Sequence, residues 1–449
     1  MEIQLLLAVV FSIALLLILI LWLKIQPFLA LLTSSVAAGL IAGMPPMTVI
    51  ESIRQGMSNT LGFVATVVGL GALFGAILEH SGGAQSLATY LLRKFGDKRA
   101  PHAMMITGFI VAIPVFFDVA FVILAPILYA LQAKTGKSLL LFALPLLVGL
   151  AITHSFIPPT PGPVAVAEIL GAPLGWVITF GFLAGVPTAL IPGLWFSKKM
   201  ASKLNIGIPS YIEHTETDKI DLPPFFLVLS IIGIPIVLIV ISTVVSSPLA
   251  DPWGISSGIL DVMSFLGHPF TALTLANGLA WYFLGIKRKM RKDQLLEISS
   301  RSLGPAGIII LVTGAGGVFK QVLVDTGVGE LLATSMASMG MPVLIFAFLA
   351  AATVRILQGS ATVAMVTAAG LTAALLENGT GDMERALLVI AIASGATILS
   401  HVNDSGFWLV NRYLGLTEKQ TFKTWSVLTT LIAGVGFSVS ALIYWLFLV

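Results

Sequence analysis

The sequence predicts an all-α polytopic membrane protein of two inverted repeats, each with a re-entrant hairpin and a broken helix. Three observations predict it. The 449-residue chain is 57% hydrophobic and 10% charged, with a mean hydropathy of +1.01, whereas a soluble protein carries about 25% charged residues. Apolar runs of about 20 residues, each long enough to cross a bilayer, recur from end to end. Blocks of the first half return in the same order in the second, each broken at a matching place.

In chain order, Ile3 to Leu23 is too long for the apolar region of a secretory signal. It has neither a basic N-terminal cluster nor a small-residue cleavage site, so it reads as the first span. Pro27 to Met44 and Asn59 to Leu78 follow, then a hairpin over about Pro101 to Leu131. The run from Leu139 to Leu170 is interrupted by HSFIPPTPGP, which carries Pro158, Pro159, Pro161 and Pro163. Proline removes a backbone donor and clashes with the preceding turn, so no continuous helix can pass through. Irregular backbone at membrane depth is tolerated where it lines a cavity or is buried in protein, and broken helices build transporter binding sites. Leu174 to Phe196 closes the first half.

Ser197 to Pro223 is the longest polar segment and reads as a cytoplasmic linker, dividing one integral membrane domain into a first repeat over 1–196 and a second over 224–449. The second half runs Phe225 to Val245, His268 to Leu284, Pro305 to Leu323, a hairpin over about Met341 to Leu376, a broken span over Ala386 to Leu414, and Thr424 to Leu448.

The repeats are read from matching blocks. QPFLALLTSSVAAGLIAG (from Gln26) matches HPFTALTLANGLAWYFLG (from His268), and GLGALFGAILEHSGGAQSLAT (from Gly69) matches GAGGVFKQVLVDTGVGELLAT (from Gly314). DVAFV at Asp118 aligns with GSATV at Gly359, and the proline-rich break aligns with SHVNDSGFWLVNRYLG at Ser400. With the N-terminus outside and both hairpins re-entrant, most of the 24 Lys and Arg residues fall in inner loops, including the KRKMRK run from Lys287. That satisfies the positive-inside rule and makes the copies inverted. The net charge of +3 therefore carries no implication of nucleic-acid binding. Zero cysteines exclude disulfides and thiolate metal sites, and no cofactor is expected.

Two hairpin tips and two helix breaks should converge. A re-entrant turn needs small residues and side chains that satisfy exposed backbone groups, as Gly359, Ser360 and Thr362 can. Pro163 can open one half-helix, and Ser405 or Asp404 can cap the other. Half-helix N-termini suit an anion. The expected substrate contacts are Thr160, Gly162, Arg355, Gln358, Gly359, Ser360, Thr362 and Asn403, with Lys320 as a weaker candidate near the end of its span. An ionisable residue inside a span is expensive and reads by default as functional. Asp118 and Asp404 are the expected proton-coupling residues, Asp404 the more strongly, with His154 and His401 before the breaks as relay candidates. Arg355 is either a carboxylate ligand or a staple of the hairpin. The moving unit should comprise the hairpins and broken helices, sliding on the remaining spans.

At HSFIPPTPGP, GGVFKQVLVDTGV, RILQGSATVA and SHVNDSGFWL the chain resembles the gluconate/proton symporter family over nearly its whole length. It departs from residues common there at Asp118, where several members have glutamate, and at Thr160, where histidine is common. The resemblance implies proton-driven uptake of gluconate or a related sugar acid, or of another small carboxylate such as glycerate or D-serine, across a bacterial inner membrane. The wider ion-transporter superfamily that the paired hairpins resemble implies a homodimer with an elevator-like moving domain. From a different class, an intramembrane enzyme using Asp118 and Asp404 as an acid-base pair is disfavoured by the lack of a GxGD or HExxH motif. A channel lacks the expected ring of like charges.

Overall fold

The computed structural model describes residues 2–209, 221–327, 341–376 and 379–448. Within them the chain is helical, with no strand. Seven helices among the described residues are long and apolar enough to cross a membrane; an eighth crossing results if Ser257–Gly267 and Pro269–Arg288, bent by 58°, act as one span. Residues 210–220 of the linker, with Glu213, Glu216 and Asp218, lie outside the described residues, as does the Leu-Ala-Thr ending of the second glycine-rich block.

The first half contains α1 (Glu2–Leu21), α2 (Pro27–Ile41), α3 (Pro46–His80), α4 (Gly83–Phe95), the hairpin pair α5 (Ala100–Val111) and α6 (Phe117–Thr135), the broken pair α7 (Leu140–Phe156) and α8 (Pro161–Leu170), α9 (Leu174–Leu190) and α10 (Ser197–Lys203). The second contains α11 (Phe225–Val245), α12 (Ser257–Gly267), α13 (Pro269–Ala280), α14 (Lys292–Asp325), the hairpin pair α15 (Val343–Gln358) and α16 (Ala361–Ala373), the broken pair α17 (Asp382–Thr397) and α18 (Ser405–Leu414), α19 (Glu418–Thr421) and α20 (Val427–Leu448). Both breaks expected from sequence are present at the expected places, and α15 packs on α16 as a hairpin; α5 and α6 meet at the expected turn but make almost no direct contact with each other.

Burial separates centre from periphery. The apolar window of Leu140–Leu170 is 89% buried inside the protein, against 28% for that of Phe225–Val245. The broken helix therefore sits inside the bundle, where its freed backbone groups meet protein rather than lipid. Equivalent packing recurs in the two halves, with α5 on α7 and α15 on α17.

Two helices extend well beyond their apolar cores. α3 starts at Pro46 rather than near Asn59, and α14 at Lys292 rather than Pro305. Their polar ends stay helical because the two run antiparallel against each other: Ser52 donates to Asp325 at 2.6 Å, and a Cβ on Gly56 would meet Val318 at 2.7 Å. Close backbone approach through small residues is the usual basis of helix association in membranes. Pro305 is accommodated inside α14. α8 begins at Pro161, not Pro163. Thr160 takes the extended N-cap conformation, and Pro161 fills N1, where the missing N–H costs nothing.

Candidate functional site

The second hairpin tip is built by a left-handed glycine. Gly359 ends α15 at φ 90° and ψ −16°, and its Cα lies so close to the Asn403 carbonyl that any Cβ would overlap it. Ser360 then caps α16, accepting from the Val363 N–H at 3.3 Å, while the Gln358 side chain accepts from the Ser360 N–H at 2.7 Å.

The second break folds onto this tip. Asp404 caps α18 by accepting from the Gly406 N–H at 3.1 Å. Arg355, only 5% exposed, donates from one terminal nitrogen to the Gly359 carbonyl and from the other to Asp404. Ser400 also donates to Asp404. The Asn403 amide donates to Ile356 O at 3.0 Å, and the His401 ring contacts the same carbonyl at 2.8 Å. Leu399 is held at φ 43°, a conformation unusual for a branched residue. Tip and break thus form one cross-braced unit in which Arg355 bridges the Gly359 carbonyl and the Asp404 carboxylate.

The first tip approaches from the other half. Pro114 sits where α3 presents Gly75, and a Cβ there would overlap the Pro114 carbonyl. Phe116 caps α6, which places Asp118 in its first turn. Asp118 is exposed and makes no hydrogen bond or ion pair among the described residues. His154 lies beside Phe116, ring centroids 6.2 Å apart, with a buried Nδ1 that has no hydrogen-bond partner among the described residues.

These parts enclose a cavity of about 440 Å³. Asp118, His154, Arg355, Gln358, Gly359, Ser360, Thr362, Asn403 and Asp404 all line it. The N-terminal turns of three helices, α6, α16 and α18, open onto it through Phe117 and Asp118, Ala361 and Thr362, and Ser405 and Gly406. Each leaves N–H groups without intrahelical partners.

Four expected residues are not in its wall. Thr160 is buried with its hydroxyl on Ile157 O at 2.7 Å, and Gly162 packs against Met365; α8 opens with prolines at 161 and 163, so its N-terminus is poor in donors. Lys320 donates to the Ile169 carbonyl at the far end of α8. His401 faces α15, as described. Sequence reasoning missed Phe116, Trp425, Thr397 and Thr429, which also line the cavity. The hydroxyl and indole groups clustered in KTWSVLT at the head of the last apolar run were the available signal. No group of three or more His, Asp or Glu among the described residues is placed to hold a metal.

A second cavity of about 360 Å³ lies across the first tip, bounded by Glu79 and His80 at the end of α3 and by Glu297, Arg301 and Pro305 of α14. Phe116 lines both cavities, so the tip is the partition between them.

The family model for the GntP family of permeases matches residues 4–446. The chain is 40% identical to the low-affinity gluconate transporter of Escherichia coli K12, covering 96% of each chain. It is 37% identical to a gluconate permease of Pseudomonas aeruginosa, covering 92% of this chain and 91% of the relative. In structure it resembles the YdaH transporter of Alcanivorax borkumensis, with a TM-score of 0.67 at 13% identity over 94% of this chain and 99% of the other, a likeness of fold alone. With apolar helices spanning the bilayer and bacterial permeases as relatives, this is a multi-pass inner-membrane protein, and it belongs to the GntP permease family.

Proposed function

We propose that the protein takes up gluconate or a closely related sugar acid in symport with protons. The observation that carries this reading is the convergence of three helix N-termini and one unpartnered carboxylate, Asp118, on a single 440 Å³ cavity. Helix N-termini bind a carboxylate through free N–H groups and partial positive charge. Gln358, Ser360, Thr362 and Asn403 supply the amides and hydroxyls that a hydroxylated chain needs, and a few convergent polar groups in a largely preformed cavity give orientation.

The transported anion adds one negative charge to a low-dielectric path, and protonation of a carrier carboxylate cancels it. Asp404 is engaged by Arg355, Ser400 and the α18 cap, so its charge is already neutralised. Asp118 has no such partners and takes the proton-carrying role, with His154, which lines the same cavity, as a relay. This reverses the order of the two aspartates expected from sequence. One proton per anion makes the loaded step electroneutral; a second would add about 2.3 kcal/mol of drive per 100 mV.

The two halves act as inverted repeats whose tips meet at the bilayer midplane. The cavity beyond Phe116, at the ends of α3 and α14, is the inward route, and the chain works as a homodimer of non-enzymatic carriers. Counterflow of labelled gluconate in proteoliposomes tests the reading, with glycerate and D-serine as competitors. Exchange of gluconate supports it; exchange of D-serine alone would move the substrate out of the sugar acids, and no exchange of any carboxylate would refute it.

A further inference from the structure

The head of the last span is hydrogen-bonded to the second break at three points, and all three bonds end on Ser400. The Trp425 indole donates to the Ser400 hydroxyl at 2.7 Å, Ser426 donates to its carbonyl, and Thr429 accepts from its N–H at 3.0 Å. The Ser400 hydroxyl in turn donates to Asp404. The three residues come from a widened turn, Phe422–Ser426, running into α20; such π-type turns concentrate at functional sites. The Trp425 ring also stacks on Phe117 of the first tip, centroids 5.5 Å apart and planes 27° apart, and both rings line the cavity.

We infer that Trp425 is a specificity-determining residue of the substrate site: with Phe117 it forms the apolar wall along which the carbon chain of a hydroxy acid lies, while its N–H positions Asp404 through Ser400. The polar groups described above hang from the tips and the break. Opposite them a hydroxylated chain needs a surface for its C–H face, and an aromatic pair offers that without competing for hydroxyls. Wall length then matters. A six-carbon acid covers it and a three-carbon acid does not, so the ring favours the longer substrate. Because the same residue holds the break, the head of the last span belongs with the moving hairpins and not with the fixed spans.

This inference rests on the sugar-acid reading, and counterflow by the wild-type protein is the control that separates the two. Trp425→Phe keeps a ring and removes the donor; Ser400→Ala removes the relay; Trp425→Leu and Trp425→Met remove the ring. In proteoliposomes Trp425→Phe and Ser400→Ala should raise the KM for gluconate by a similar factor, about fivefold for one lost hydrogen bond. Both should keep the wild-type preference for gluconate over glycerate. The ring-less variants should lose that preference by about tenfold or more, through a higher gluconate KM with glycerate little affected. Ring-less variants that assemble and keep the preference overturn the wall; an unchanged KM in Trp425→Phe beside a raised one in Ser400→Ala overturns the positioning role. If neither ring-less variant assembles, Phe117→Leu reads the wall from its other side with the same expectation. Failure of the wild-type protein to exchange gluconate would refute the underlying function instead.

Discussion

Replacing each aspartate by asparagine tests which of the two carries the proton. Asp404 sits in a pair of 13% exposed side chain against 6% for Arg355, and Arg355 Nε already lacks a hydrogen-bond partner. Removing one member of a buried ion pair costs roughly 3–5 kcal/mol, because the remaining charge is stranded. Asparagine retains one oxygen able to accept from Arg355 and can still cap α18, so Asp404→Asn should fall near the low end, about 3 kcal/mol. Asp118 is exposed and unpartnered, and changes at such positions usually stay within about 0.5 kcal/mol. The assay pairs thermal unfolding in detergent with two transport measurements, counterflow without a gradient and accumulation under an imposed pH gradient. Asp118→Asn should melt like the wild type, retain counterflow and lose accumulation. Asp404→Asn should melt several degrees lower and be impaired in both. Accumulation by Asp118→Asn against a substrate gradient would refute its role, and an unshifted melting temperature for Asp404→Asn would refute the stapling role of the ion pair.

Other outcomes follow from the same geometry. Ser360→Ala removes a cap and a cavity hydroxyl, so with Thr362→Ala it should lower gluconate affinity by about tenfold, measured by equilibrium binding. Gly359→Ala requires a left-handed alanine whose Cβ overlaps the Asn403 carbonyl; a loss of about 1–3 kcal/mol or more is expected, read as a lowered melting temperature. Lys320→Met should leave gluconate KM unchanged while altering maximal rate, since its amine holds the end of α8 and lies outside the cavity wall; a raised KM would restore it as a substrate contact.

Local chemistry made much of this readable in the sequence. Proline clusters break helices wherever they occur, so the first break was fixed by Pro158 to Pro163, and the glycine-serine pair at Gly359 and Ser360 marked the second tip. Asp404 was legible as a cap because capping spans only a few residues. What local chemistry could not show was pairing at a distance. Arg355 and Asp404 lie 49 residues apart, and nothing in either segment announces that the arginine is spent on the aspartate. Their partnership is the basis on which the proposal above gives the proton to Asp118 and not to Asp404. Ser400 and Trp425 were likewise invisible as partners, one inside a break and the other at the head of an apolar run. Helix ends were misjudged where hydropathy was the guide: residues 46–58 and 292–304 are polar yet helical because α3 and α14 support each other. The amphipathic helix α4 and the short helix α12, bent by 58° from the expected span that starts at His268, were missed for the related reason that neither is a simple apolar span.

The most direct test is an experimental structure with gluconate bound at acidic pH. The substrate carboxylate should lie about 2.7–3.1 Å from N–H groups in the first turns of α16 and α18, near Thr362 and Ser405, with its hydroxylated chain between Asn403 and Trp425 and its bound side facing Asp118. Gluconate seated in the cavity between Glu79 and Arg301, or with its carboxylate on Lys320 instead, would contradict the account.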